Sequence, residues 1–402
     1  MGKEAFEIDT FLDELKLDLE EPNPHDTSDE AMALEKETVE VIKPIETTPL
    51  MGNKDTSDEK SISSILGRIA LVLLETVLLV LVALYGILYV LAKGPSPTAR
   101  DILVMSVRET SAIGFIADIF FTEEEIAQIE NAKSVEEYVQ TDTSLINIQK
   151  PQENAPEATG PVADEWGLVD EDGDGIIIEE VHGEGYSGYM MVVLDPSRVI
   201  VGSVPSYYGT RGYTVEEMVK EFDVVAGINA GGFEDLNGGG DGSTPNAMVV
   251  YEGKAYYDYK GVQNGFVGID ADHILHVGNL TAADAQEKKI QYGVSFGPVL
   301  IANGEAATVT SGVNPRTAIG QRSDGAMLLL VIDGRQVISL GATYQDLIDI
   351  FLEYGAVNAC NLDGGASSMM WFEDGYVNNS ASVIGVRRVP TTFLVLKDGG
   401  AQ

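Results

Sequence analysis

From Ile69 to Leu91 the sequence reads IALVLLETVLLVLVALYGILYVL, and Glu75 is its only charged residue. About 20 apolar residues in a helix suffice to cross the hydrocarbon core of a bilayer, so the run predicts a single transmembrane helix over 65–92. A cleaved signal peptide would stand at the extreme N-terminus with a shorter apolar stretch. A buried core helix would carry polar punctuation, which is missing here. Such a helix divides the chain into segments that fold on either side of a membrane. Basic residues do not set its orientation, since Lys60 and Arg68 on one side face Lys93 and Arg100 on the other.

The flanking segments differ in composition. Residues 1–60 carry 18 acidic and 6 basic side chains among scattered prolines, serines and threonines. With too little apolar surface to offset the entropy of ordering, they read as a disordered acidic tail. Over the whole chain, Asp+Glu 64 against Lys+Arg 25 leaves a net charge of −39 with no basic run, which excludes nucleic acid as a partner. The one cysteine, Cys360, lies in an apolar run; it excludes an intrachain disulfide and reads as a buried thiol. After the span, 93–148 shows a helical pattern with a capping-box spacing at Thr122–Glu125, and is expected to form a helical stalk. Residues 149–166 are rich in proline and polar side chains, as an extended linker is.

Residues 167–398 alternate short β-rich runs (YMMVVLD, RVIVGSV, MLLLVID, TTFLVLK) with glycine turns and few helices. The pattern predicts an α+β domain with mixed β-sheets. Within it, MMVVLDPSRVIVG reads as two strands around a DPS turn. Two longer segments echo one another. YTVEEMVKEFDVVAGINAGGF has Thr214 and Glu217 at capping-box spacing, a short helix, then an apolar strand that exits at Asn229, Gly231 and Gly232. ATYQDLIDIFLEYGAVNACNLDGGASS has Thr343 and Asp346 at the same spacing, a helix, and a strand that exits at Asn361, Asp363, Gly364 and Gly365. Two such exits brought together at one edge of a sheet would make a site.

The chemistry of these exits is that of anion binding. A glycine pair lets backbone N–H groups approach a ligand without side-chain obstruction. An arginine adds a planar fork matched to phosphate or carboxylate. Arg316, in NPRTAIG, is the leading candidate; Arg387 or Arg388, in GVRRVPTT, is a second. Taken one at a time, each motif also fits a plain turn or a surface ion pair.

Taken in order, GINAGGF, NPRTAIG, NLDGGASSMM and RRVPTTFLV resemble the phosphodiester glycosidase domain. This is the family of the lysosomal uncovering enzyme, N-acetylglucosamine-1-phosphodiester alpha-N-acetylglucosaminidase, and of bacterial exopolysaccharide biosynthesis proteins. The resemblance spans Ile178 to Leu396. It assigns Asn229, Gly231, Gly232, Phe233, Asn314, Thr317, Gly364, Gly365, Ser367, Ser368 and Arg388 to substrate binding, and Asp363 and Arg316 to catalysis. Ala366 and Glu234 depart from the family pattern without removing a charged or hydroxyl group.

The resemblance implies cleavage between a sugar's anomeric carbon and a phosphate, with a sugar-phosphate diester glycan as substrate and no required cofactor. An ordinary glycosidase needs two carboxylates because its alkoxide leaving group must be protonated. A phosphate leaves as an anion, so one carboxylate, Asp363, with Arg316 and the Gly364–Gly365 amides around the phosphate, would serve. Ser367 has no histidine in a matching motif to activate it, which favours ligand contact. The family's usual targets place the tail in the cytoplasm and the domain outside the cell, acting on an envelope polysaccharide or glycolipid. Two alternatives stay open: a non-catalytic glycan-binding module, and a transferase passing the glycosyl group to another acceptor.

One motif stands apart. Asp170, Asp172, Asp174 and Gly175 occupy positions one, three, five and six of a calcium-type loop, but position twelve is Val181 in place of glutamate. The readings are a weak calcium site or an acidic turn entering a strand, and the missing ligand favours the turn.

Overall fold

The computed structural model describes residues 56–110, 113–131, 140–148, 163–207, 211–235, 240–256, 265–382 and 385–397. The acidic tail up to residue 55 and linker residues 149–162 lie outside the described residues. The chain divides into two compact units, Met1–Leu73 and Leu74–Gln402. In the first, the described residues are the opening turns of helix α1 (Thr56–Lys93). This helix starts within the segment the sequence assigns to the tail. Its stretch Ser64–Lys93 is long and apolar enough to cross a membrane.

In the second unit, α1 is followed by α2 (Pro97–Arg108), α3 (Phe115–Phe120) and α4 (Glu123–Asn131). Ser96 caps α2 by accepting from the Ala99 amide, and Pro97 fills the first turn, where no amide is needed. Thr122 and Glu125 close the expected capping box on α4. Ala92, Val104, Val107, Ala117, Phe120 and Ile126 form a small core of their own. The segment does not stand free as a stalk. The Val313 amide donates to Ser106 Oγ at 2.9 Å, the Val277 amide to Thr141 Oγ1 at 3.1 Å, and the Asn147 amide to the Ser323 carbonyl at 2.7 Å. Gly312 permits the first contact, because a Cβ there would lie 2.2 Å from the Ser106 nitrogen.

Three sheets build the rest. The largest runs in the order β1 (Ile176–Gly183), β2 (Tyr186–Val193), β13 (Met327–Ile332), β12 (Arg316–Arg322), β14 (Ala356–Asn361), β10 (Val299–Ala302), β11 (Glu305–Ala306). The second runs β16 (Gly375–Tyr376), β15 (Met370–Phe372), β4 (Ala226–Asn229), β17 (Thr391–Val395), β3 (Val199–Ser203). The third runs β6 (Lys254–Tyr256), β5 (Val249–Tyr251), β9 (Ile290–Ser295), β7 (Phe266–Asp270), β8 (Leu275–Gly278). The fold is α+β, as the patterning leads one to expect. The described pairings are all antiparallel where mixed sheets are anticipated. The DPS turn, with Asp195 accepting from the Ser197 amide, carries the chain from one sheet to another and closes no hairpin.

Continuous apolar runs mark the strands covered on both faces. In β13, Met327, Leu329 and Val331 enter the central core shared by the three sheets. Leu328, Leu330 and Ile332 point the other way, toward α7 (Tyr344–Glu353). Helix α5 (Val215–Glu221) covers the second sheet through Val215, Met218 and Val219, and α6 (Ala282–Glu287) lies on the third through Ala285. Thr214 with Glu217, and Thr343 with Asp346, form the two capping boxes. On α7, Phe351 presses against β12 so closely that a Cβ on Gly320 would lie 2.9 Å from its ring. Phe351→Ala should therefore lower unfolding free energy by about 3–5 kcal/mol, the range for emptying an aromatic core site. Chemical denaturation of the full chain measures this; an unchanged midpoint and slope would mean that α7 does not pack there.

Candidate active site

The two glycine-bearing exits meet, although β4 and β14 belong to different sheets and not to one edge. The Asp363 amide donates to the Ala230 carbonyl at 2.9 Å, and Asn229 Nδ2 donates to the Asp363 carbonyl at 2.5 Å. Thr317 Oγ1, on β12, donates to Asn229 Oδ1 at 2.8 Å, and the Met369 amide donates to the same oxygen at 3.1 Å. Asn229 and Thr317 are fully buried. They hold the Asp363 turn in place.

That turn borders a cavity of about 710 Å³. Of the residues singled out in the sequence, Gly232, Phe233, Asn314, Arg316, Asp363, Gly364, Gly365 and Ser367 line it. Asn229, Gly231, Thr317, Ser368 and Arg388 do not. The Gly231 amide donates to Thr391 Oγ1 at 3.1 Å, and the Ser368 carbonyl accepts from Asn378 Nδ2 at 3.1 Å. Arg388 turns away and grips Glu217 with both terminal nitrogens, reaching the Gly212 carbonyl as well. Its neighbour Arg387 faces the cavity instead, ion-paired with Asp235 at 2.8 Å and lying over the Phe233 ring at 5.4 Å.

Asp363 opens to the cavity yet is enclosed deeply enough for desolvation to dominate. Its carboxyl is raised from 3.8 to about 7. The Ser367 hydroxyl and the Arg387 charge pull it down, Asp235 pushes it up, and the Gly364 amide pulls it down again. The glycine pair has a different role from the one anticipated. The Gly364 amide is used on the Asp363 carboxylate, and the Gly365 amide donates to the Pro315 carbonyl at 2.8 Å. A Cβ on Gly364 would lie 2.8 Å from the Pro315 oxygen, and Gly365 has φ +62°. Both glycines are thus demanded by the turn's packing and backbone shape, and their amides are spent inside it.

The cations are arranged around this turn. Arg316 is buried: Nε donates to the Ala342 carbonyl at 3.0 Å, and Nη2 to the Gly312 carbonyl at 2.6 Å and Glu109 Oε2 at 2.8 Å. Its guanidinium stacks 4.4 Å from the Tyr344 ring. Burial pushes the Tyr344 phenol up to about 12, so it stays neutral. Asn314 Nδ2 donates to Glu109 at 3.0 Å. Arg335, which no sequence motif indicated, reaches in from the cavity's edge. Its Nη2 donates to Thr110 Oγ1 at 2.9 Å and would lie 3.2 Å from a Cβ on Gly365. Desolvation, and then the Arg316 charge, lower its hold on a proton, which is the electrostatic condition for an anion to bind between them. Arg335 has no carboxylate partner among the described residues. Glu109, Thr110, Asp235 and Arg335 stand in none of the motifs singled out in the sequence, and Tyr344 stands within the Thr343–Asp346 capping box, which signals only a helix start. Arg387 was legible as one of an adjacent pair.

The acidic turn lies outside this lining. Asp170, Asp172 and Asp174 bring carboxylate oxygens within 4.8 Å of one another, close enough to bind a metal ion. Both oxygens of Asp170 accept backbone amides, from Gly173 and Gly175 at 2.9 Å each, and desolvation raises the Asp174 carboxyl.

Residues 222–396 match the family model described as phosphodiester glycosidase. The chain is 32% identical over 207 residues to the SPbeta prophage-derived uncharacterized protein YomE of Bacillus subtilis (strain 168), covering 48% of this chain and 31% of that protein. It is 27% identical over 179 residues to N-acetylglucosamine-1-phosphodiester alpha-N-acetylglucosaminidase of Bos taurus, covering 39% and 33%. The chain therefore spans about a third of the length of these curated relatives. Among solved structures, the zebrafish enzyme of that name, its catalytic domain auto-inhibited by pro-peptide, aligns with a TM-score of 0.47 at 22% identity, covering 55% of this chain and 82% of that one. A hypothetical protein from Synechocystis aligns with a TM-score of 0.45 at 14% identity, covering 59% and 64%.

The Glu109–Arg316 pair is a structural commitment as well as a site feature. Glu109→Ala would leave Arg316 buried without its carboxylate, and should cost about 3–5 kcal/mol of stability. Glu109→Gln, which keeps the shape, should cost less. Thermal unfolding of both variants reads this out. Equal melting of Glu109→Ala and the parent would show that the pair is not formed.

Proposed function

We propose, from the match of residues 222–396 to the phosphodiester glycosidase family model, that the chain is a membrane-anchored hydrolase that cleaves the glycosyl–phosphate bond of a sugar-1-phosphodiester. The substrate belongs to an envelope polysaccharide or glycolipid. The observation that carries the reading is Asp363, its carboxyl raised to about 7 on the floor of a cavity lined by three arginines. A base poised near neutrality suits proton abstraction from water. A phosphate leaving group needs neutralisation more than protonation.

In this reading Arg335, beside Arg316, receives the phosphate, a task that passes to the arginines because the glycine amides are engaged. Ionised Asp363 faces the anomeric carbon. Water attacks that carbon as the carbon–oxygen bond breaks. The bonding pair leaves with the phosphate oxygen, and the water proton passes to Asp363. Positive charge building on the sugar ring in the transition state is stabilised by the same carboxylate. Asn229 and Thr317 act through the turn by keeping Asp363 on this line.

The pH dependence follows from the sign of the shift. Asp363 is favoured in its protonated form in the folded chain. Its contribution to stability is present below its ordinary value of 3.8 and is lost as pH rises through about 7. Activity should move the opposite way, rising through about 7 as the base ionises. Asp363→Asn should lower kcat on sugar-1-phosphate diesters by about 10²–10³-fold. It should also abolish the rise and melt no lower than the parent above neutral pH. Kinetics and melting on one sample decide the matter. Retained turnover with a lowered Tm would reduce NLDGG to a turn, and binding without turnover by the parent would favour a glycan-binding module.

The anchor and its topology are part of the proposal. The exposed apolar stretch Ser64–Lys93 supports a span, with the acidic tail in the cytoplasm and the domain outside. Protease added to intact cells should digest the C-terminal domain and spare the tail. The reverse pattern would overturn the topology.

A further inference from the structure

We propose that α3, together with the C-terminal turns of α1, forms one apolar surface that lies in the lipid–water interface and seats the candidate active site at the face of the bilayer. The inference rests on the reading of α1 as a membrane span.

The length of α1 leaves room for it. Ser64–Lys93 is 30 residues long. At 1.5 Å per residue that is about 45 Å, against about 30 Å of hydrocarbon core, so roughly 15 Å falls in the interfacial layers. Tyr85 and Tyr89 stand in those last turns, exposed, with ring centroids 6.4 Å apart. Tyrosines at a helix end are suited to the headgroup level, where one part of the ring is apolar and the hydroxyl is wet.

Helix α3 is fixed beside α1 at that level. Phe120 packs on Tyr85 with centroids 5.7 Å apart, and the Lys93 ammonium lies 4.6 Å from the Phe121 ring centroid. Ala92 is buried in the same cluster as Ala117 and Phe120. Away from this packing, Ile113, Phe115 and Ile119 are 40%, 61% and 59% exposed. The one charge on α3, Asp118, lies 3.7 Å from Arg108 on α2. The exposed apolar side chains thus continue the exposed apolar surface of α1. Lipid, which already surrounds that surface if α1 spans, is the occupant that fits both.

The link to the site is a single hydrogen bond. Thr110 lines the cavity, and the Ile113 amide donates to the Thr110 carbonyl at 3.1 Å. Placing Ile113 in the interface brings the rim of the cavity to the membrane surface. A glycosyl phosphodiester held at that surface would then reach Arg335 and Asp363 without leaving it.

The test uses the full chain reconstituted in phosphatidylcholine–phosphatidylglycerol vesicles. The native Cys360 is buried, so an added cysteine takes an environment-sensitive fluorophore selectively. Labels go on Phe115→Cys, Ile119→Cys, Leu79→Cys within α1, and Lys254→Cys on an exposed strand of the third sheet. Labels at 115, 119 and 79 should lose most of their emission to brominated lipid and little to aqueous iodide. The label at 254 should respond only to iodide. Quenching of 115 and 119 by iodide alone, with 79 quenched by lipid, would overturn the inference and leave the anchor standing. Iodide quenching at 79 as well would overturn both. Circular dichroism of each labelled chain confirms that the variants are folded.

Discussion

One buried amide side chain ties the two halves of the candidate site together. Asn229 ends a strand of the second sheet, yet it accepts from Thr317 of the largest sheet and donates to the Asp363 carbonyl. Its side chain is fully buried, and buried polar groups are satisfied by hydrogen bonds. The bonds it makes place the two glycine exits back to back. The Asp363 amide on the Ala230 carbonyl completes the junction. Asp363 therefore stands where two sheets converge, and the desolvation that raises its carboxyl is a consequence of that convergence. A position on a solvent-exposed turn would have left it an ordinary carboxylate.

Charge balance follows from the same enclosure. Three arginines and three carboxylates line the cavity. Two form close pairs, Arg316 with Glu109 and Arg387 with Asp235, and these pairs shape the walls. That leaves Asp363 and Arg335 as the lining charges outside these two close pairs. Arg316 illustrates the cost of reading roles from motifs. Its fork is largely committed to the Gly312 and Ala342 carbonyls and to Glu109, so it organises the site at least as much as it offers a binding surface.

Much of the architecture was legible because it depends on local patterning. The apolar run of α1, the capping boxes at Thr214 and Thr343, and the strands MLLLVI and AVNACN each follow from periodicity or end chemistry over a few residues. The NLDGG turn was legible for a related reason. A glycine with positive φ and another against a carbonyl leave a compositional trace that no other residue type satisfies. The use of those glycines was not legible, since an amide's partner lies elsewhere in the chain. Pro315, which takes the Gly365 amide, stands just before β12, about fifty residues away in sequence.

The sequence by itself determined the long apolar helix, the α+β class and the residue types at the strand exits, because each is an outcome of short-range sterics and hydrophobic spacing. Only the tertiary structure decided which arginine of the adjacent pair Arg387 and Arg388 faces the cavity, since consecutive side chains leave an extended backbone in opposite directions. It alone brought Glu109, just after α2, onto Arg316, a contact between residues 207 positions apart. Ion pairing at that separation depends on where two folded elements meet, and no pattern within either element encodes it.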